Sequence, residues 1–138
     1  MTECPCGSGT GFATCCGPLV ADGVPAATAE QLMRSRYTAF VLGSEEHLWR
    51  TWHPRTRPST VEVDDVDWTG LTILDVVSGG VDDATGAVEF EAAFRGPDGP
   101  SSIRERSTFE RRGGRWVYLE GEVTRLSLIH ISEPTRPY

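Results

Sequence analysis

Four cysteines are the residues of this 138-residue chain whose type and spacing point most directly to chemistry. They lie close to the N-terminus, at Cys4, Cys6, Cys15 and Cys16. Thiolates are soft ligands, and four of them match the coordination number of tetrahedral Zn²⁺. We therefore predict one structural zinc site. Because four thiolates leave no open position for water, we expect no metal-dependent hydrolysis at it.

The residues between the cysteines favour this interpretation. A reversal after Cys6 needs positive φ angles and close approach of backbone N–H groups to sulfur, and the Gly7-Ser8-Gly9 segment allows both. Phe12 is expected to cap the site. The alternative is a pair of disulfides, but the neighbouring Cys15 and Cys16 reach only strained partners, and no secretory signal is recognisable at the N-terminus.

Two charged residues on apolar faces form a second candidate site. Thr28 has the capping-box spacing to Gln31, and the apolar positions of the helix that follows include Arg36. Farther along, Glu105 lies on the same strand face as Phe109. Each buried charge needs compensation. The two charges form either an internal ion pair or part of a ligand pocket composed of Arg36, Tyr37, His53 and Glu105.

The histidines and tryptophans have weaker signals. His53, before Pro54, is either a cap at the end of a helix or a general base in the pocket. His47 is predicted to lie on an exposed helix, where it has no specific role. The tryptophans are interpreted as core residues in preference to a stacking platform; they are Trp49, Trp52, Trp68 and Trp116.

The elements that must position these residues change from helices to strands along the chain. The segment 17–25 is predicted to be a connector, followed by a helix from Thr28 to Gly43 and a short helix that begins after Ser44 and stops at Pro54. Residues 62–67 are expected to be solvated. Four segments with a period of two follow, separated by hairpin signals, and predict an antiparallel meander. Helices followed by an antiparallel sheet indicate an α+β fold.

Several of these segments together resemble a known family. CPCGSGTGFATCC resembles the SEC-C motif, the zinc knuckle at the C-terminus of the SecA translocation ATPase and of many other bacterial proteins. The chain after it resembles the YchJ family of small bacterial proteins at 32–40, 51–54, 105–109 and 114–118. The resemblance implies a SEC-C knuckle followed by a cystatin-like cone of the nuclear-transport-factor and ketosteroid-isomerase type, with helices packed on a curved sheet. The family has no assigned activity.

The resemblance divides the chain into three parts. Residues 1–20 correspond to the SEC-C knuckle and residues 21–123 to the α+β cone. Residues 124–138 do not resemble the end of the family, and they read like a translated sequencing adaptor, so we assign no function to His130. Pro134 and Pro137 exclude regular structure near the end of this tail.

Composition excludes several classes of function. The formal net charge is −7, which repels phosphate backbones and argues against nucleic-acid binding. All 13 basic residues are arginine, so Schiff-base and Walker-type lysine chemistry is absent. No apolar run is long enough for a membrane span, and we expect a soluble cytoplasmic protein.

Two functions remain. In the first, which we favour, the chain is not an enzyme but a zinc-stabilised interaction or scaffold module. Its knuckle would then bind a protein partner, just as the SecA knuckle binds the SecB chaperone and the ribosome. The lysines usual in SecA are replaced here by Thr10 and Gly11, which removes an electrostatic basis for docking. In the second, the cone is an enzyme with an internal polar pocket. A homodimer is compatible with either.

Overall fold

The structure, a computed structural model, describes residues 3–61, 63 and 66–126. A short 3₁₀ turn at Phe12–Thr14 precedes three helices, α1 (Gly17–Asp22), α2 (Ala29–Leu42) and α3 (Glu45–Arg50). Four strands follow, β1 (Asp67–Ser78), β2 (Thr85–Gly96), β3 (Gly99–Arg112) and β4 (Arg115–Leu126). The predicted α+β order, with the cysteine segment first, is confirmed.

Helix α2 begins and ends as its sequence predicts. The Thr28 hydroxyl accepts a hydrogen bond of 3.1 Å from the Gln31 amide, and the chain leaves the helix at Gly43 in the left-handed conformation. The side chains on its inner face are buried, among them Leu32, Met33 and Arg36. This face packs against β1, β2 and β4, so the helix carries an arginine into the core.

The strands form one antiparallel sheet in the order β1-β2-β3-β4, as the hairpin signals predict. In β3 the odd-numbered residues from Ile103 to Phe109 are buried, so Glu105 faces the core together with Phe109. Strands β1 and β4 are the two edges. The β4 edge is partly covered, because the Tyr118 amide donates to the Thr51 carbonyl and the Tyr118 carbonyl accepts from the His53 amide, both at 2.7 Å.

Helix α1 lies where the sequence predicts only a connector. Pro18 occupies its first turn, and Gly23 ends it with a φ of 70°. Proline at the start and glycine just past the end are a known helix signature, and six residues were too few for periodicity to reveal it. In the part of the chain that the structure describes, no helix is long and apolar enough to span a membrane. The tail from residue 127 and residues 62, 64 and 65 of the acidic stretch lie outside the described residues.

Candidate functional site

The cysteine segment folds into a compact loop. Cys4 donates its amide to the Thr10 carbonyl at 2.9 Å, and the Gly7 amide returns to the Cys4 carbonyl at 3.2 Å. Gly7 and Gly9 have φ angles of 79° and 85°, so glycine is required at both reversals, as predicted. The loop brings Cys4 and Cys6 opposite the second pair of cysteines.

The four sulfurs lie close enough together to share one metal ion. All four Sγ atoms lie within 4.8 Å of one another, and Cys15 is 3.6 Å from Cys6 and 3.9 Å from Cys16. Zn–S bonds of about 2.3 Å in a tetrahedron place sulfurs about 3.8 Å apart. The Cys6–Cys15 and Cys15–Cys16 separations are close to this value, so the cluster suits a four-thiolate metal site.

The cysteine thiols shift one another's pKa values. Hydrogen bonding with Cys16 lowers the pKa of Cys6 to about 4, and the same interaction raises the pKa of Cys16. Burial raises the pKa of Cys15. The Ser8 hydroxyl lies 3.1 Å from the Cys15 sulfur and can donate to it as a thiolate. A cation replaces these protons when it binds.

The knuckle is packed against α2. Cys4, Cys6 and Cys16 are buried in the same core cluster as Leu32 and Met33. The Arg34 guanidinium donates to the Cys6 carbonyl at 2.9 Å and to the Glu30 carboxylate at 3.0 Å. The cysteine loop therefore borders the helix that carries Arg36.

Arg36 is fully buried at the centre of the cone. Its Nη1 donates to the Leu48 carbonyl at 2.9 Å and to the Thr51 hydroxyl at 2.8 Å. Its guanidinium lies 4.4 Å from the centre of the Tyr118 ring. Burial lowers the pKa of Arg36 to about 10, although Tyr118 and Glu105 oppose the shift. The arginine is therefore still charged at neutral pH.

Glu105 is also fully buried, and it lies near Arg36 as the two inward faces predict. The Ser107 hydroxyl donates to its Oε2 at 3.0 Å. A Cβ placed on Gly121 would overlap with Glu105 Oε2 and would lie 2.9 Å from the Tyr118 hydroxyl. Burial raises the pKa of Tyr118, and its hydroxyl has no hydrogen-bond partner among the described residues. The interior therefore holds a polar cluster of Arg36, Glu105, Ser107 and Tyr118.

The other two pocket candidates lie elsewhere. The Tyr37 ring packs edge-on against Trp68, 6.3 Å between centroids, and burial raises the pKa of Tyr37 to about 12. His53 Nδ1 accepts from the Arg55 amide at 3.0 Å, and its Nε2 lies 4.0 Å from Glu110. His53 also lies beyond the end of α3, whose cap residue is Thr51.

The prediction for His47 is wrong. This side chain is buried, and its Nε2 lies 2.9 Å from the Ser35 hydroxyl. Its Nδ1 lies 3.1 Å from Arg50, which can only donate, so Nδ1 accepts and Nε2 carries the proton. Burial, with Arg36 and Arg50 nearby, lowers the pKa of His47 to about 3. A six-residue helix is too short for its periodicity to show which face is buried.

The tryptophans are only partly the core residues that the sequence predicts. Trp116 is buried, and its indole N–H donates to the Ala27 carbonyl at 3.2 Å. Trp52 and Trp68 are half-buried against the core. Trp49 is exposed, with the Arg57 guanidinium stacked 3.5 Å from its ring centre. The core prediction is wrong for Trp49, because an arginine covers it in place of the hydrophobic interior.

A cleft of about 50 Å³ lies between α1, α3 and β4. His47, Arg50 and Trp116 line it, and none of the four candidate pocket residues does. Arg50 is engaged there by the Leu19 carbonyl at 3.3 Å as well as by His47 and Glu46. These bonds connect α1 to α3, so we interpret the cleft as a gap in the packing between these elements.

Comparison with known proteins agrees with both parts of the fold. Residues 3–18 match the SEC-C motif, and residues 28–121 match the middle, NTF2-like domain of YchJ. A UPF0225 protein of Streptomyces coelicolor is 50% identical over 120 residues, which are 86% of this chain and 94% of that protein. One from Deinococcus radiodurans is 47% identical over 119 residues, covering 85% and 86%.

Two solved structures have the same fold. The solution structure of a SEC-C motif containing protein from Rhodopseudomonas palustris has a TM-score of 0.79 at 37% identity, and covers 90% of this chain and all of that one. The crystal structure of a SEC-C motif containing protein from Psychrobacter arcticus has a TM-score of 0.71 at 28% identity, covering 93% and 84%. With the cysteine cluster and the helix-covered sheet, these matches show that the chain belongs to the YchJ family, whose UPF0225 relatives have no assigned activity.

Proposed function

We propose that the chain is a cytoplasmic interaction or scaffold module in which a structural Zn²⁺, held by Cys4, Cys6, Cys15 and Cys16, shapes a surface for a protein partner. The zinc assignment is supported by the four-sulfur donor set and by the closeness of the four sulfur atoms. Because all four ligands come from the chain, the ion stabilises the loop and has no site for a substrate.

The observation that carries the module function is the filled interior of the cone. Phe90 and Phe109 are almost completely buried, and the charged Arg36 and Glu105 lie among them with no exposed surface. A cone-fold enzyme needs an opening for its substrate. By contrast, the tip of the knuckle, residues 7–10, is exposed. It carries no charge, so a partner recognises it by backbone hydrogen bonds and shape.

A photo-crosslinking experiment tests this function. A photoreactive residue at Thr10 is introduced into this chain, expressed in cells of Streptomyces coelicolor, the source of a relative that is 50% identical. It is expected to give one discrete crosslinked product. The product should be lost in Cys6→Ser, because the tip loses its shape without the metal. The same probe at Asp98, in the exposed β2–β3 hairpin, is the control and should give none. No product at Thr10, or one that persists in Cys6→Ser, contradicts the proposal.

The enzyme function remains the second candidate because of the Tyr118 hydroxyl. It is buried beside Glu105 with no partner in the described part of the chain, and a small polar molecule could pair with it. Thermal-shift measurements with small carbonyl compounds and carboxylic acids test this function. It requires a stabilisation that disappears in Tyr118→Phe, whereas the module function predicts equal melting temperatures with and without each compound.

A further inference from the structure

Strand β1 differs from the other edge of the sheet in having a long half that no other described residue covers. The β4 edge is bonded to residues 51–53, and the Thr56 hydroxyl donates to the Leu119 carbonyl. On β1, the knuckle approaches Leu71, whose carbonyl would lie 3.4 Å from a Cβ on Gly7. From residue 72 to residue 78, the β1 backbone has hydrogen bonds only to β2 among the described residues. Such an edge is a template for another strand.

The uncovered half of β1 also exposes apolar side chains. Leu74, Val76 and Val77 are all more than two-fifths exposed, and Val81 follows in the hairpin. Leu74 lies at an irregularity of the β1–β2 register, where it has no partner on β2. Val76 pairs with the buried Val88 and Val77 with Ala87 on the opposite face of the sheet. An added strand would therefore meet apolar side chains on both faces.

Acidic residues outnumber basic ones around this edge. The sequence has no basic residue between Arg57 and Arg95, and that span contains nine acidic ones. On β2, Glu89 is neutralised by Arg104 and Arg106 of β3, at 2.8 and 3.4 Å. On the β1 side, Asp75 shares Arg106 with Glu89. The exposed hairpin after β1 contains Asp82 and Asp83, and Arg111 donates to its Asp83 carbonyl at 3.0 Å. The uncovered edge is thus apolar and acidic.

We propose that the β1 edge, residues 72–78, binds an extended peptide segment of a partner protein in which apolar β-branched residues alternate with arginine or lysine. Main-chain hydrogen bonds would add it as a fifth strand, the valines of β1 would contact its apolar side chains, and the aspartates would attract its cations. A second copy of this chain is a poorer occupant, because it would bring the same acidic, base-free span against itself. The inference rests on the proposed interaction function and adds a second surface to the knuckle.

The test uses the zinc-loaded full chain and three blocked peptides. The first alternates valine with arginine, the second replaces every arginine by glutamate, and the third keeps the arginines but replaces two valines by proline. NMR titration is expected to shift the amides of residues 72–78 saturably with the first peptide, and to slow their hydrogen exchange. The second and third peptides should bind at least tenfold more weakly. The glutamate peptide loses the charge attraction, and the proline peptide loses main-chain hydrogen bonds to β1.

Matched variants locate the binding. Val77→Arg should weaken binding of the arginine–valine peptide at least fivefold, whereas Val24→Arg should leave the affinity for this peptide unchanged. The two valines are equally exposed, 47% and 46%, and Val24 lies in the connector after α1.

Three results would overturn the inference: equal binding of all three peptides, amide shifts outside residues 72–78, or an equal loss of affinity in both variants. Concentration-dependent dimerisation that only Val77→Arg abolishes would assign the edge to a second copy and also overturn it. A Thr10 crosslink without peptide binding at β1 would reject this inference alone and leave the proposed function intact.

Discussion

Arg34 of helix α2 donates a 2.9 Å hydrogen bond to the carbonyl of Cys6. This bond connects the loop that holds the four cysteines to the helix that covers the sheet. Because Cys4, Cys6 and Cys16 also belong to the hydrophobic core, the knuckle and the cone share part of their stabilisation. The energetic consequences of this coupling can be measured.

Removal of the coupling arginine should loosen the metal site. Arg34→Met is expected to cost about 1–2 kcal/mol of unfolding free energy, since the Cys6 carbonyl loses a charged donor. It should also speed the loss of zinc to a chelator, measured with a colorimetric indicator. Arg95→Met is the control, because among the described residues Arg95 has one ion pair, an exposed one with Asp67 at 3.6 Å. Equal zinc-release rates in the two variants would show that the bond does not support the knuckle.

Metal removal itself should lower stability without unfolding the sheet. In Cys6→Ser, residues 1–20 are expected to loosen, and the cone should melt at a lower temperature because its knuckle contacts are lost. The sheet, paired along four strands, should retain its far-ultraviolet circular dichroism. A variant that is globally unfolded at room temperature would show that the cone has no independent core.

The two buried charges are expected to be energetically coupled. Arg36→Met should cost about 3–5 kcal/mol because it leaves Glu105 buried beside an apolar side chain. The double variant Arg36→Met with Glu105→Gln should lose clearly less than the sum of the single losses, since a neutral amide needs less compensation. Urea unfolding of the four proteins completes the cycle. Additive losses would mean that the side chains do not interact, and Glu105 would then be available to a ligand.

The buried imidazole of His47 should make the protein sensitive to acid. Its pKa is lowered to about 3 in the folded state from an ordinary value of 6.5, so the unfolded state takes up a proton first as the pH falls. Stability should therefore fall below about pH 6.5, by about 2–3 kcal/mol at pH 4.5 if this group acts alone. His47→Gln should flatten this dependence. His53→Gln, beside the half-buried Glu110, should keep it, and equal slopes in both variants would contradict the account.

The sequence predicted the fold better than the interior of the site. The cap at Thr28, the glycine after α2 and the hairpin signals are local, and each gave the observed element. The alternation of apolar residues in β3 was enough to predict that Glu105 faces inward. The helical periodicity of α2 was enough to predict the same for Arg36. These inferences depend on which face is apolar, and a long amphipathic element shows this directly.

The missed features depend on contacts distant in sequence or on short elements. Tyr118 contacts Arg36 and approaches Glu105 across the sheet, but β4 pairs with β3 through register irregularities that no sequence period reveals. His47 is buried because α3 packs against α2 and α1, and its own six residues carry no clear pattern. Such positions follow from tertiary packing, which overrides local propensity.

Gly121 is a position where packing requires the absence of a side chain. Gly121→Ala should cost about 2 kcal/mol, because the new methyl group would displace the Glu105 carboxylate or the Tyr118 hydroxyl. Gly70→Ala in β1 is the matched control, since a Cβ there meets nothing within 4 Å. Chemical denaturation measures both variants. A loss at Gly121 no larger than that at Gly70 would mean that the interior cluster can adjust freely.

The most direct test of the central claim, a closed structural zinc site, is zinc-edge X-ray absorption on the full chain combined with native mass spectrometry. The account predicts one Zn²⁺ per chain and four sulfur scatterers at about 2.3 Å. Spectra with three sulfurs and one oxygen neighbour would contradict it, because an open position would make the ion accessible to substrate.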